Sequence, residues 1–320
     1  MDKLKRFIDI YVPTEACNLR CQYCYITQKR LFNNKVAKIN HSPDFVKGAL
    51  SKSRLGGTCL LNFCAGGETL LSGDLIGIID ALLDEGHYIM IVTNGTLTAR
   101  HKEIAKLHKD KLERLFFKFS FHYEELKRLN LLDVFFENVK SARSAGCSYT
   151  VELPPYDELL PLIDEIKTEC LDRLGALCQV TITREEKTGN YNHLSSYGFS
   201  EYVTLWNSFE SELFDFKKDI FYQRRKEFCY AGDWSGVLHL GTGNLRQCYK
   251  GLSLCNVYSD VSEPIPFLPI GANCREPHCY NGHAFLALGT IPELATPLFG
   301  SLRNRLCEDS TEWLAPKVQE

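Results

Sequence analysis

Three cysteines, Cys17, Cys21 and Cys24, stand in the spacing C-x3-C-x2-C directly after an apolar run, Phe7–Val12. Thiolates are the ligands of iron–sulfur cubanes, and a cubane takes four of them. Three within so short a stretch hold three irons and leave the fourth open to another ligand. That makes a reactive centre rather than a simple electron wire. The same three residues as zinc ligands need closure by a second Cys or His pair.

Two further groups of polar residues end apolar runs of strand length. Gly66, Gly67 and Glu68 close the second run, and glycines there let a backbone approach a ligand closely. Thr93 and Asn94 close the third, and Ser120 stands at the end of the fourth. Cys64, beside the glycine pair, is a thiol able to deliver a hydrogen atom; the plainer reading is a strand cysteine facing helices. His122 titrates near neutrality when unperturbed, but a solvated loop histidine is the simpler expectation. Glu152 and Arg184, at the fifth and sixth run ends, point to the same mouth or are surface charges.

The cysteine run, the segment Phe63-Cys64-Ala65-Gly66-Gly67-Glu68 and the segment Ile91-Val92-Thr93-Asn94-Gly95-Thr96 together resemble the radical SAM superfamily over roughly residues 6–185. The resemblance implies a 4Fe–4S cluster on Cys17, Cys21 and Cys24 whose unique iron is chelated by S-adenosylmethionine (SAM). It implies that Gly66, Gly67 and Glu68 hold the methionine amino group. Tyr23 would pack near the nucleoside, Ser120 would contact the SAM carboxylate or ribose, and Thr93 and Asn94 are similar cofactor-binding candidates. The proline usual after the Glu is replaced by Thr69. The implied chemistry is one-electron cleavage of SAM to methionine and a 5′-deoxyadenosyl radical, which takes hydrogen from a substrate C–H bond. A flavodoxin- or ferredoxin-type donor would supply the electron.

Farther on, Cys229, a hairpin pattern over 235–249 and Cys248 resemble the opening of the SPASM and twitch domains that follow many radical SAM cores. With Cys274 and Cys279 they imply a second, auxiliary 4Fe–4S cluster, one-cluster twitch-like. Cys255, His278 and His283 are the substitute ligands, and a zinc knuckle is the competing reading. The other cysteines, Cys59, Cys147, Cys170, Cys178 and Cys307, read as small buried hydrophobes.

The elements that must position these residues follow from periodicity. Candidate strands are Phe7–Val12, Thr58–Cys64, Tyr88–Thr93, Leu115–Phe121, Ser148–Leu153 and Cys178–Thr183, alternating with helical stripes. Leu75, Ile79, Leu82 and Leu83 form one stripe; Leu126, Leu129, Leu132, Phe136 and Val139 form another. Six β-α units imply an α/β fold with a parallel sheet, and the resemblance sharpens this to a partial (βα)6 TIM-type barrel. In such barrels chemistry sits at the strand C-terminal ends, where all three motifs lie. The expected division is a core over 1–200, then a linker helix (Tyr202–Phe216) and a small α+β cluster-binding domain over 201–320.

Composition narrows the partners. With 320 residues, 44% hydrophobic and 24% charged, the chain has the make-up of a globular protein with a real core. A net charge of −3 without a long basic run speaks against nucleic acid or anionic membrane. Fourteen cysteines without a secretory signal point to metal or redox chemistry in a reducing, cytoplasmic setting. The substrate is expected to be a peptide or protein in a biosynthetic pathway, although the barrel starts close to Met1 with no leader-binding domain before it. A sugar or cyclitol is the alternative small-molecule substrate, and a non-catalytic iron–sulfur protein the remote one.

Overall fold

The structure, a computed structural model, describes residues 4–36, 38–224, 226–272, 274–279 and 298–315. Six strands, β1 (Arg6–Val12), β2 (Cys59–Ala65), β3 (Tyr88–Thr93), β4 (Leu115–Ser120), β5 (Ser148–Leu153) and β6 (Gln179–Val180), lie side by side in chain order and all pair in parallel. Their near-continuous apolar sequences follow from burial on both faces; every residue of β5 is buried. The sixth run forms only a two-residue strand, shorter than its apolar pattern suggests.

The sheet does not stop at β1. Strand β7 (Ser235–His239) pairs with β1 in parallel, and β8 (Asn244–Arg246) and β9 (Ser253–Asn256) follow antiparallel. The hairpin expected around Gly241–Asn244 forms, with Gly243 at φ +76°, where a Cβ would sit 2.4 Å from Tyr258. Residues counted with a separate auxiliary domain thus extend the core sheet, in the order β6-β5-β4-β3-β2-β1-β7-β8-β9.

Two helical stripes are each divided. The stripe over 126–139 belongs to helices Tyr123–Arg128 and Leu132–Ser144, separated where Asn130 turns left-handed at φ 56°. The linker helix splits into Phe199–Trp206 and Glu212–Ile220, with Glu210 at φ 51° between them and Ser211 capping the second through Phe214 N–H. In both cases the two pieces face one core, so the apolar period runs across the break.

Alternate strand residues line the concave face. Phe7, Leu60, Met90, Phe116 and Val237 make an apolar floor closed by Phe299 and Leu314. Phe299 touches rings from β1 and β4, 6.3 Å from Phe7 and 5.8 Å from Phe116, which requires the sheet to curl around it. Above this floor lie Asp9, Asn62, Lys118, Thr150 and Glu152. Arg303, 1% exposed, reaches in and pairs with Glu152 at 3.2 Å, and Glu152 also meets Lys118 at 3.0 Å. The segment 298–315 therefore packs into the core rather than beside β8 and β9. Cys59, Cys147, Cys170, Cys178 and Cys307 are all buried.

Candidate active site

The cysteine loop leaves β1 and is docked onto the end of β2. Gly67 N–H donates to Thr14 O at 2.8 Å and Glu68 N–H to Ala16 O at 2.9 Å. A Cβ on Gly67 would lie 1.9 Å from Ala16 O, so only glycine lets the two backbones meet. Gly66 is less constrained, with the hydroxyls of Tyr25 and Tyr11 its nearest neighbours at 3.0 and 3.1 Å.

Glu68 is buried and braces the neighbouring strand end. Its Oε1 accepts from Thr93 Oγ1 (2.7 Å) and Leu70 N–H (3.0 Å), and its Oε2 accepts from Asn94 N–H (2.8 Å). Burial raises its pKa against these bonds, which lower it. Asn94 in turn directs Nδ2 at Asn18 Oδ1 (2.8 Å) and at Cys17 Sγ (3.9 Å). The ends of β2 and β3 and the cysteine loop are thereby locked together.

One cavity of 240 Å3 gathers Cys17, Cys21, Cys24, Gly66, Gly67, Glu68, Thr93, Asn94 and Ser120 in its lining. Burial pushes the Cys17 thiol up to about 11, helped by the Glu68 and Cys24 charges, and raises Cys21 and Cys24 as well. Iron reverses this, because a coordinating thiol is deprotonated outright. The donor set fits a cluster: three thiols share one cavity, and Leu19 N–H (3.4 Å) and Asn94 Nδ2 aim at the Cys17 sulfur. Hydrogen bonds to sulfur of this kind tune cluster potentials. Among the described residues no three His, Cys, Asp or Glu side chains converge enough to hold a single metal ion. A cubane spreads its ligands over several irons and does not need that convergence.

A second cavity, of 350 Å3, shares Cys24, Tyr25 and His122 with the first. Its other walls include Tyr23, Lys118, Thr181, Thr183, Arg184, Lys217, Phe221 and Cys279. His122 is half-buried rather than solvated, hydrogen-bonded through Nδ1 to the Tyr23 hydroxyl. Burial, then the Lys118 charge, lower its pKa to about 4. Tyr23 also lies 4.5 Å, ring to ring, from Tyr156. Lys118 was legible in principle, since it alternates with Ser120 on β4 and so shares its face. Lys217 had no sequence signal; it arrives on a helix beyond a long loop.

Of the second cysteine set, Cys229, Cys248 and Cys274 come together. Each of the first two thiols is raised by burial and by its neighbours' charges, Cys274 among them. Cys279 lies in the wall of the 350 Å3 cavity. Cys255 sits on β9 opposite Leu245, and the charge acting on it is that of Arg54. His278 is buried against Phe221, and His283 lies outside the described residues. Cys64, on the concave face of β2, is 3.7 Å from the Tyr249 hydroxyl, which donates to Asp9 at 3.1 Å. Glu152 serves the buried ion group with Lys118 and Arg303, not a surface.

A parallel α/β half-barrel thus carries a three-cysteine loop at its strand ends. Residues 11–156, a little under half of the chain, match the Radical SAM superfamily. Over 92 residues it is 27% identical to the 7-carboxy-7-deazaguanine synthase of Thermoplasma acidophilum, 29% of this chain and 40% of that protein. Over 94 residues it is 28% identical to the Aquifex aeolicus protein of the same name, 29% of this chain and 39% of that one. The shared stretch thus spans about two fifths of these curated relatives. Among solved structures, Streptococcus suis SuiB bound to S-adenosylmethionine aligns with a TM-score of 0.52 and 16% identity, over 81% of this chain and 64% of that one. Histidine-tagged anSMEcpe with bound AdoMet aligns at 0.54 and 16%, over 92% and 89%. At such identities the shared property is the fold. No helix among the described residues is long and apolar enough to cross a membrane.

Proposed function

We propose that this enzyme takes hydrogen from a C–H bond of a substrate seated in the 350 Å3 cavity, with cluster and SAM held at the adjoining 240 Å3 cavity. The observation that carries this is the shared wall of Cys24, Tyr25 and His122 between the two cavities. Cys17, Cys21 and Cys24 would hold the cluster. When bound, the cluster would supply one electron for cleavage of SAM to methionine and a 5′-deoxyadenosyl radical, with a flavodoxin- or ferredoxin-type protein as the donor.

The chain's own residues bind and orient. Gly66–Glu68 would receive the methionine amino group, with Thr93 and Asn94 fixing that edge. Ser120 would take the carboxylate or ribose, and Tyr23, held by His122 and Tyr156, would pack beside the nucleoside. The neutral His122 imidazole keeps one nitrogen on the Tyr23 hydroxyl, which fixes the ring wall rather than adding charge. Cys64, backed by Tyr249 and Asp9, stands on the concave face as the candidate hydrogen donor to a substrate radical. Cys229, Cys248, Cys274 and Cys279 would hold the auxiliary cluster.

For the substrate, a peptide or protein in a biosynthetic pathway is the first reading. The fold is one in which SuiB is found bound to its precursor peptide SuiA and anSMEcpe to the Cp18Cys peptide. A small molecule is the second reading, favoured by a cavity of metabolite size. Anaerobically reconstituted enzyme with dithionite and SAM should release 5′-deoxyadenosine, and Cys17, Cys21 and Cys24 replaced together by Ala should abolish release while keeping about half of roughly eight irons. Loss of all iron from that variant would refute the auxiliary cluster. Stimulation of release by a cell-extract fraction, abolished by protease, marks a peptide; protease-resistant stimulation marks a small molecule.

A further inference from the structure

The 350 Å3 cavity, read as the substrate site in the preceding proposal and resting on it, has an electrostatic feature beyond that reading. Lys217, on the helix Glu212–Ile220, lines it, and its ammonium donates to Thr181 Oγ1. Among the described residues no carboxylate lies within ion-pair distance of Lys217. Lys118, on the same wall, shares Glu152 with Arg303, so one carboxylate faces two cations. Arg184 meets Glu186 at 3.1 Å, and Glu186 is also held by Lys29 at 3.0 Å. Asp9 is a further acid near this group, and it feels both Lys118 and Arg303.

Cations around this wall therefore outnumber carboxylates. Desolvation lowers the Lys217 pKa well below its ordinary value; Lys118, Arg184 and Arg303 lower it further, and Glu152 acts in the opposite sense. A half-buried ammonium with no carboxylate at ion-pair distance is costly to keep. A ligand anion removes that cost by pairing with it. SAM's own carboxylate is not the obvious partner, because its expected contact, Ser120, lines the other cavity, where neither Lys118 nor Lys217 appears.

We infer that the substrate carries a compact anionic group, a carboxylate or a phosphate, seated against Lys217 and Lys118. The group anchors the substrate at the inner wall, so that the C–H bond to be broken faces the Cys24, Tyr25 and His122 side. Lys217 is here a binding residue, not one that moves a proton.

The test uses the full chain, cluster-loaded under anaerobic conditions, titrated calorimetrically with inorganic phosphate and separately with acetate. Ionic strength is held constant, and each titration is run with and without saturating SAM. At least one anion should bind at one site per chain, and the better of the two identifies the group. Lys217→Met should weaken that binding roughly 10- to 100-fold, the loss of one charge-assisted hydrogen bond, with Lys217→Arg recovering part of it. Lys217→Gln serves as a second variant, and iron content with far-UV circular dichroism certifies folding. Absence of binding by both anions overturns the inference, as does unchanged binding in folded Lys217→Met. So does a variant that loses SAM affinity while its anion affinity is intact. Failure of the wild type to bind SAM strikes the proposed function instead, since the SAM-free titrations still decide the anion site.

Discussion

Replacing Gly67 by Ala tests whether the glycine pair exists for backbone contact or for conformational freedom. Neither Gly66 nor Gly67 has a positive φ, so Ala is conformationally allowed at both. At Gly67 the new Cβ would lie 1.9 Å from Ala16 O and 2.4 Å from Ala16 C, both backbone atoms. Real Cβ atoms keep at least 3.0 Å, so the cysteine loop must retreat by about 1 Å. That retreat breaks the Gly67–Thr14 and Glu68–Ala16 hydrogen bonds, the two that dock the loop. Each amide left unsatisfied costs about 1–3 kcal/mol, and partial rehydration brings the pair to roughly 2–4 kcal/mol. Gly66→Ala meets tyrosine hydroxyls that can swing away, and should cost under about 1 kcal/mol. The assay is urea unfolding of both variants, with iron content and SAM affinity measured on reconstituted protein. Gly67→Ala should lose stability and cluster together; a variant with wild-type iron, affinity and unfolding midpoint would falsify the docking argument.

Asp9→Asn probes the concave face. Burial raises Asp9 from 3.8 to about 6, the Asn62 and Tyr249 hydrogen bonds opposing it. A raised folded pKa means stability is full below about pH 4 and is lost as pH rises toward 6. The loss is on the order of 3 kcal/mol. Asn at this position should flatten the wild-type decline between pH 4 and 6 in denaturant titrations; an unchanged slope counts against the assignment. Arg303→Met should destabilise by about 3 kcal/mol or more, since it strips Glu152 of a buried partner, and chemical unfolding reads this directly. A change below about 1 kcal/mol would mean the segment 298–315 does not close the floor. Tyr23→Phe removes the hydroxyl that bonds the His122 ring; the expected sign is a raised SAM dissociation constant with unchanged iron content, measured on the same preparations.

What was legible locally was chemistry tied to consecutive residues. The C-x3-C-x2-C run, the glycine pair and the Thr93-Asn94 strand end could be read because each lies within a few residues and follows an apolar run of strand length. Parallel strands joined by helices place all such ends on one side, so three motifs far apart in the chain line one 240 Å3 cavity. Helix breaks were not legible: Asn130 and Glu210 turn left-handed, yet the apolar period continues past them because each pair of helices packs on one core.

The 350 Å3 cavity and its charges were decided only by tertiary structure. Lys118 comes from β4, Lys217 from a helix after a long loop, and Arg303 from a tail that returns to the concave face. No local pattern links them; what assembles them is the burial of Phe299 on the floor and of Phe214 on the core, and the ion group then follows. The grouping of Cys229, Cys248 and Cys274 has the same origin. Spacing measures distance along the chain, whereas the extension of the sheet through β7–β9 determines which sulfurs share a neighbourhood.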